Sequence, residues 1–185
     1  MNIFILNTGR CGSTTFIKAC HHISNYTALH ESRATLIGKE RLNYPSNHIE
    51  ADNRLSWFLG RLDRQYGDNA FYLYLSRDLH KTATSFAQRE SYGIMQAYRE
   101  GILLGGEDDQ SAIDIAHDYI VTVESNIEHF LQDKNNKMNF NLESAKDDFR
   151  LFWERIGAEG DLDMALSEWD TNYNASEKPV DEASA

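Results

Sequence analysis

Residues 2–16 read NIFILNTGRCGSTTF, and this stretch decides the fold class. Residues 2–7 predict a short buried strand, because their centre is a run of large apolar side chains. A turn with two glycines follows at 8–12, and from 13 to about 22 the apolar residues recur at helical spacing. The stretch therefore predicts a strand that passes through a glycine-containing turn directly into a helix.

The same alternation continues along the chain. Apolar patterning predicts further strands at 26–29, 71–75 and 138–142, and helices at 52–66, 78–89, 111–132 and 144–156. Residues 32–50 are mixed and polar, which predicts a loop with one helical turn. Strands that alternate with helices predict an α/β fold with a P-loop-like parallel sheet flanked by helices. We expect a single domain over residues 1–173 and a disordered C-terminal tail over 174–185, where the composition turns small and polar.

The charge of the chain is unevenly distributed. The 185 residues carry a formal net charge of −11, which argues against a nucleic-acid partner because such proteins need a basic footprint. However, residues 1–100 hold 12 basic and 9 acidic side chains, whereas residues 101–185 hold 6 and 20. We therefore expect any small anionic ligand to bind in the first half.

The sequence predicts a soluble, cytoplasmic protein with no membrane span. Its N-terminal apolar run, residues 3–6, is too short for a signal-peptide core or a transmembrane helix. The cysteines are Cys11 and Cys20, too few for a disulfide framework. The sequence leaves the oligomeric state open.

The turn after the first strand is a candidate anion site. Parallel sheets bind ligands at the carboxyl ends of their strands, and a helix that starts there offers backbone N–H donors and its dipole. Arg10 adds a positive charge, and residues 13–15 add three hydroxyl groups. The turn is not a Walker A loop, because no lysine follows Gly12. The alternative is an ordinary strand-to-helix turn with a serine cap.

A second candidate lies where the strand 71–75 ends. Arg77 follows this strand, and Ser85 stands eight residues later, two turns into the predicted helix. Both could reach one anion. Alternatively, Arg77 pairs with Asp78, and Ser85 is merely a small packed residue.

Two side chains that could act as a base follow the strand 26–29, namely His30 and Glu31. Histidine titrates near neutral pH, and a partly buried glutamate can be raised toward it. Either could also be only a solvated strand end. A zinc-protease pattern is excluded because position 34 is alanine, and a cysteine-phosphatase loop is excluded because Ile17 stands where its arginine would be required. We expect no metal site.

Together these motifs resemble those of sulfotransferases that use 3′-phosphoadenosine 5′-phosphosulfate (PAPS), and the soluble, bacterial-type members are the nearest comparison. Residues 10–16 resemble the 5′-phosphosulfate loop, most closely its carbohydrate-sulfotransferase form, and residues 75–78 with Ser85 and Phe86 resemble the 3′-phosphate motif. The resemblance extends loosely to about residue 156. It implies an enzyme that transfers a sulfuryl group in line from PAPS to a hydroxyl acceptor, a carbohydrate or glycolipid, without an obligatory metal.

The resemblance also implies roles for individual residues. Arg10 would stabilise the leaving phosphate oxygen, Arg77 and Ser85 would bind the 3′-phosphate, and Glu31 would be the base, with His30 as the alternative. The 5′ side would be held by the loop residues Cys11, Gly12, Ser13, Thr14 and Thr15.

Other features leave alternatives open. The family's C-terminal basic, glycine-rich loop is not evident, since residues 161–170 are acidic, and the adenine contacts stay unassigned. If they face inward, several cationic side chains would suit an acidic or polyhydroxy acceptor: Arg33, Lys39, Arg41, His48, Arg54 and Arg89. The alternatives to a sulfotransferase are a catalytically inactive nucleotide-binding module and a P-loop kinase-like phosphotransferase, which the missing Walker lysine disfavours.

Overall fold

One parallel sheet organises the computed structural model, which describes residues 1–171 and Tyr173. Its strands are β1 (Asn2–Leu6), β2 (Thr27–His30), β3 (His48–Ala51), β4 (Ala70–Ser76) and β5 (Lys137–Asn141). They lie in the order β2-β3-β1-β4-β5, and every neighbouring pair is parallel. The carboxyl ends of all the strands therefore lie along the same edge of the sheet.

Helices cover both faces of this sheet. They are α1 (Ser13–Cys20), α2 (Leu59–Tyr66), α3 (Leu79–Ala87), α4 (Gly93–Ala97), α5 (Ala112–Leu131), α6 (Ala145–Ile156) and α7 (Leu162–Ser167). One apolar core joins the sheet to α1, α6 and α7, and a second joins it to α2, α3, α4 and α5. The predicted α/β fold, a parallel sheet flanked by helices, is confirmed.

Strand β1 shows why both faces are covered. Ile3 and Ile5 belong to the first core, and Phe4 and Leu6 belong to the second. All four side chains are fully buried. Because successive side chains of a strand point to opposite faces, an uninterrupted apolar run requires a helical layer on each side.

The prediction of a loop over residues 32–50 is wrong at its end, where β3 begins at His48. The predicted helical turn exists as a short 3₁₀ helix, Gly38–Arg41. Strand β3 lacks the apolar pattern of a buried strand because two of its residues, His48 and Glu50, are polar. Both are buried, and their side chains lie 2.8 Å apart. Buried charged groups are tolerated where they are paired, so hydrophobicity alone did not show this strand.

The predicted helix 52–66 is divided in two. A 3₁₀ helix, Asn53–Trp57, precedes α2, and Phe58 between them has φ −119° and ψ 18°. The other predicted elements exist with ends shifted by one or two residues. The predicted disordered tail, 174–185, lies outside the described residues.

Phe16 is the centre of the first core, so we predict that Phe16→Ala costs about 3–5 kcal/mol of unfolding free energy. Its ring lies 5.1 Å from the rings of Phe140 and Phe152 and 5.5 Å from that of Phe149, measured between centroids. Urea denaturation measures the loss. The matched control is Leu151→Ala, since Leu151 is 46% exposed on α6, and it should cost about 0.5 kcal/mol or less. Equal losses in the two variants would contradict this assignment of the core.

Candidate active site at the carboxyl edge of the sheet

The turn between β1 and α1 has an unusual backbone. Gly9, Arg10 and Gly12 have φ values of 94°, 59° and 91°, all in the left-handed region that favours glycine. The backbone conformation favours glycine at position 12, and a methyl group there would lie 2.7 Å from Cδ1 of Leu142, so that the leucine side chain would have to move. Arg10 tolerates this region at a cost of about 1–3 kcal/mol, which surrounding contacts must offset.

Buried hydrogen bonds hold this turn in place. The carbonyl oxygen of Thr8 accepts from the Tyr119 hydroxyl at 2.7 Å and from the Asn53 amide at 3.3 Å. The carbonyl oxygen of Asn7 accepts from the Ser56 hydroxyl at 3.1 Å. These three donors come from α5 and from the 3₁₀ helix after β3, and the sequence offered no signal for them beyond their polarity.

The first turn of α1 is open toward a cavity. The residue that caps α1 is Gly12, and no side chain forms a capping hydrogen bond, which excludes the alternative of a serine cap. Ser13, Thr14 and Thr15 all line the adjoining cavity of about 620 Å³. A helix start whose cap residue has no side chain, beside an open space, is a typical position for an anion.

The two sequence motifs meet at this cavity. Nε of Arg10 donates to the Ser85 hydroxyl at 2.9 Å, and Nη1 of Arg77 donates to the carbonyl oxygen of Arg10 at 3.0 Å. Arg10, Arg77 and Ser85 all line the cavity. Residues that lie 67 and 75 positions from Arg10 in the sequence are thus brought into direct contact with it.

Electrostatics in this region favour an anion. Burial is the main cause that lowers the pKa of Arg10, followed by the positive charge of Arg89, and the charge of Arg77 contributes as well. A guanidinium group nevertheless stays charged at neutral pH. Three like charges near one another repel, so a bound anion would relieve this repulsion.

Cys11 takes part only through its backbone. Its side chain is buried, and burial raises the pKa of its thiol to about 12. Its Sγ lies 3.5 Å from Oδ1 of Asn7, on the core side of the turn. A thiol in this state is not a nucleophile at neutral pH, because thiolate is the reactive form.

The cavity has further walls that the sequence motifs did not include. One face of α3 contributes polar side chains, and the segment after α7 contributes residues of the acidic half of the chain. Together with Leu142, which follows β5, the additional residues are His80, Lys81, Thr84, Gln88, Trp169, Thr171 and Tyr173. The residues on α3 recur at helical spacing from Arg77 onward, a signal that could have identified them in the sequence. The residues after α7 have no such signal.

A second, smaller cavity of about 230 Å³ adjoins the same turn. His30 and Glu31 line this cavity, whereas the residues that line the first cavity do not include them. Arg10, Ser13 and Thr14 line both. The turn therefore forms a wall between two ligand-sized spaces, with the two candidate bases on one side and the Arg77 motif on the other.

The two candidate bases have different surroundings. Nε2 of His30 lies 3.0 Å from the Ser13 hydroxyl, in hydrogen-bond contact with the first turn of α1. The carboxylate of Glu31 pairs with Nη1 of Arg54 at 3.0 Å, and its backbone has φ 51°. Both therefore lie at the turn, but only His30 contacts it directly.

A buried carboxylate holds the chain that follows Glu31. Glu50 on β3 is fully buried and accepts hydrogen bonds from the backbone N–H of Ser32 at 2.7 Å and from its hydroxyl at 2.6 Å. The same carboxylate contacts Nε2 of His48. The strand that the sequence did not predict therefore orients the candidate bases.

Of the six cationic residues that would suit an acceptor if they faced inward, four do not line either cavity. Arg41 and His48 are buried in pairs with Asp52 and Glu50, at 2.6 and 2.8 Å, and Arg33 bonds to the carbonyl oxygen of Glu40. Lys39 lines neither cavity. In contrast, Arg54 and Arg89 both line the smaller cavity.

Residues 1–171 and Tyr173 contain neither a metal-binding cluster nor a membrane-spanning helix. No group of three or more histidine, cysteine or acidic side chains there is placed to hold a metal ion. None of the helices in this part of the chain is long and apolar enough to cross a bilayer.

Two solved sulfotransferases have a similar fold. The sulfotransferase domain from the curacin biosynthetic pathway superposes with a TM-score of 0.64 at 14% identity, over 92% of this chain and 78% of that one. The mouse sulfotransferase SULT7A1, solved with PAP, gives a TM-score of 0.56 at 17% identity, over 90% of this chain and 64% of that one. No protein-family model and no curated sequence matches the chain. The resemblance predicted from the two motifs is confirmed as a shared sulfotransferase fold.

We predict that Gly12→Ala destabilises the protein by about 1–3 kcal/mol, because an alanine there is strained and collides with Leu142. The matched control is Gly60→Ala in α2, where a methyl group meets no atom within 4 Å. It should leave stability unchanged or raise it by up to ~1 kcal/mol. Urea unfolding of both variants measures the difference, and a Gly12→Ala protein of wild-type stability would show that the turn is free to rearrange.

Proposed function

We propose that this protein is a sulfotransferase that moves a sulfuryl group from PAPS to a hydroxyl acceptor. The observation that carries the proposal is the turn shared by the two cavities. Arg10, Ser13 and Thr14 face both spaces, so a group bound at the turn can be reached from either side. A transfer enzyme needs this arrangement, because the donor and the acceptor must meet at one point in line.

The larger cavity fits the donor nucleotide in volume and in charge. About 620 Å³ lies within the usual range for a pocket that holds a small molecule or cofactor. Arg10, Arg77 and Lys81 supply positive charge, and hydroxyl groups from α1 and α3 surround them. By this proposal Arg77 and Ser85 bind the 3′-phosphate, and the first turn of α1, from Cys11 to Thr15, holds the 5′ side.

Sulfuryl transfer breaks two bonds and forms two. The acceptor O–H bond breaks, an O–S bond forms, and the bond from sulfur to the phosphate oxygen breaks, with its electron pair leaving on the phosphate. Arg10 would stabilise the charge on that oxygen, helped by the N–H groups at the start of α1. A base beside the acceptor takes the proton, and no metal is required.

We propose Glu31 as this base, with His30 as the alternative. Both line the smaller cavity, where the acceptor would bind. The ion pair with Arg54 orients the Glu31 carboxylate, whereas contact with Ser13 brings His30 closer to the turn. The two residues can be separated by mutation.

We further propose a carbohydrate or glycolipid acceptor and a cytoplasmic location. The carbohydrate acceptor rests on the resemblance of residues 10–16 to the loop of carbohydrate sulfotransferases. The location rests on the two buried free thiols, Cys11 and Cys20, which suit a reducing compartment. The rival functions are an inactive nucleotide-binding module and a kinase-like phosphotransferase. The kinase is disfavoured because Ser13 stands directly after Gly12, where a Walker loop has lysine.

Calorimetric titration with PAP (adenosine 3′,5′-bisphosphate) and with ATP tests the donor site. We expect PAP to bind and Arg77→Ala to weaken it about tenfold to a hundredfold, because a charge-assisted contact to a phosphate is lost. Arg64→Ala is the control, since Arg64 is exposed on α2 and lines neither cavity. Tight binding of ATP with no binding of PAP would favour the kinase, and PAP binding without transfer to any of a broad panel of hydroxyl acceptors would favour the inactive module.

The base assignment is tested with Glu31→Gln and His30→Gln. If Glu31 is the base, Glu31→Gln keeps PAP affinity within about twofold but lowers turnover by roughly 10²–10⁴, the usual contribution of a general base. His30→Gln should then retain most of its turnover. Full activity in Glu31→Gln together with a loss in His30→Gln would move the base to His30.

A further inference from the structure

The smaller cavity carries an excess of positive charge that the transfer reaction does not use. The arginines that line it are Arg10, Arg54 and Arg89, and Glu31 is the one acidic side chain among the described residues of its lining. The Glu31 carboxylate pairs with Arg54, so this pair is internally neutral. Arg10 faces the donor cavity as well and bonds to Ser85 there. Arg89 is therefore the positive charge in this cavity that an anionic group of the acceptor would neutralise.

The surroundings of Arg89 support this assignment. Its guanidinium lies 5.9 Å from the centre of the Tyr92 ring, and it is close enough to Arg10 to lower the pKa of that residue. Among residues 1–171 and Tyr173, no carboxylate lies within ion-pairing distance of Arg89. A partly buried guanidinium group such as that of Arg89, with another cationic side chain nearby, is stabilised when an anion binds to it.

The cavity also limits the size and shape of its ligand. Its volume of about 230 Å³ has room for one ring with its substituents, and a larger ligand would extend into the solvent, to which the cavity is open. Phe86 and Met95 form a buried apolar wall, and Tyr92, 53% exposed, offers the face of a ring beside Arg89. A flat or chair-shaped ring can pack against these groups while its hydroxyl faces Glu31 and His30.

We propose that the acceptor is a ring-sized hydroxyl compound that carries one carboxylate, and that Arg89 binds this carboxylate. We expect a single negative charge because Arg89 is, among the described residues, the one arginine of this cavity that neither pairs with a carboxylate nor lines the donor cavity. A carboxylate suits this group because it can accept two parallel hydrogen bonds from the planar fork of arginine. The inference rests on the proposed sulfotransferase function and specifies the charge and size of the hydroxyl acceptor, whether or not that acceptor is a carbohydrate. The ring could be that of a sugar acid or of a phenolic acid, and the two are separated by the probes below.

The test compares acids with their neutral amides in the complex with PAP. Calorimetry at saturating PAP measures the affinities of methyl β-D-glucuronide and its amide, and of 4-hydroxybenzoate and 4-hydroxybenzamide. We expect at least one acid to bind about tenfold or more tightly than its amide, as for loss of a charge-assisted contact. Which pair shows the difference identifies the ring.

Matched variants make the result specific to Arg89. Arg89→Gln should abolish the preference for the acid and leave the affinity of the amide unchanged, whereas Arg64→Gln should keep the preference. If PAP binds but acid and amide do not differ, or neither acid binds, the inference is overturned and the donor site stands. If PAP itself does not bind, the proposed function fails, and this inference fails with it.

Discussion

The carbonyl oxygen of Thr8 lies at the end of β1, where two buried hydrogen bonds converge on it from Tyr119 and Asn53. The turn that follows contains three left-handed residues, one of them Arg10, and an isolated peptide would not keep that shape. Because a buried carbonyl without a partner is costly, the two donors fix the point from which the turn begins. The helix start, the position of Arg10 and the wall between the two cavities all follow from that point.

This anchoring explains why charges can be concentrated at the turn. Arg77 donates to the carbonyl oxygen of Arg10, and Arg10 donates to Ser85, so each guanidinium is oriented by a hydrogen bond that brings no negative charge. These two hydrogen bonds do not themselves cancel the positive charge of the groups that they orient. Burial strengthens the field of this charge, because it lowers the local dielectric and reduces screening by water.

The candidate bases depend on a different kind of constraint. Glu31 adopts a left-handed backbone, and the next residue, Ser32, is held by the buried carboxylate of Glu50. A side chain placed at the end of an edge strand would otherwise move with the loop. The network through Glu50 and His48 supplies the rigidity that positioning of an acceptor requires.

Much of the fold could be predicted from the sequence because its signals are local. The apolar run of β1 and the helical spacing in α5 arise from burial of each element against a neighbour, which leaves a periodic pattern. Strand β3 left no such pattern, since two of its four residues are polar and become stable in the interior only by pairing with each other. The division of the predicted helix 52–66 at Phe58 likewise has no counterpart in the spacing of the apolar residues.

The sequence by itself determined four of the five strands that the described residues form, the helices α1, α3, α5 and α6, the glycine-containing turn, and the choice of Arg10, Arg77 and Ser85 as candidate ligands of one anion. Those features depend on residue type and short-range spacing, which a single chain displays directly. Only the tertiary structure decided that Arg54 and Arg89 face the smaller cavity while Arg41 is buried in an ion pair. Identical side chains differ in this way because the partner that neutralises an arginine is set by contacts between distant segments, and such contacts leave no periodic trace in the sequence.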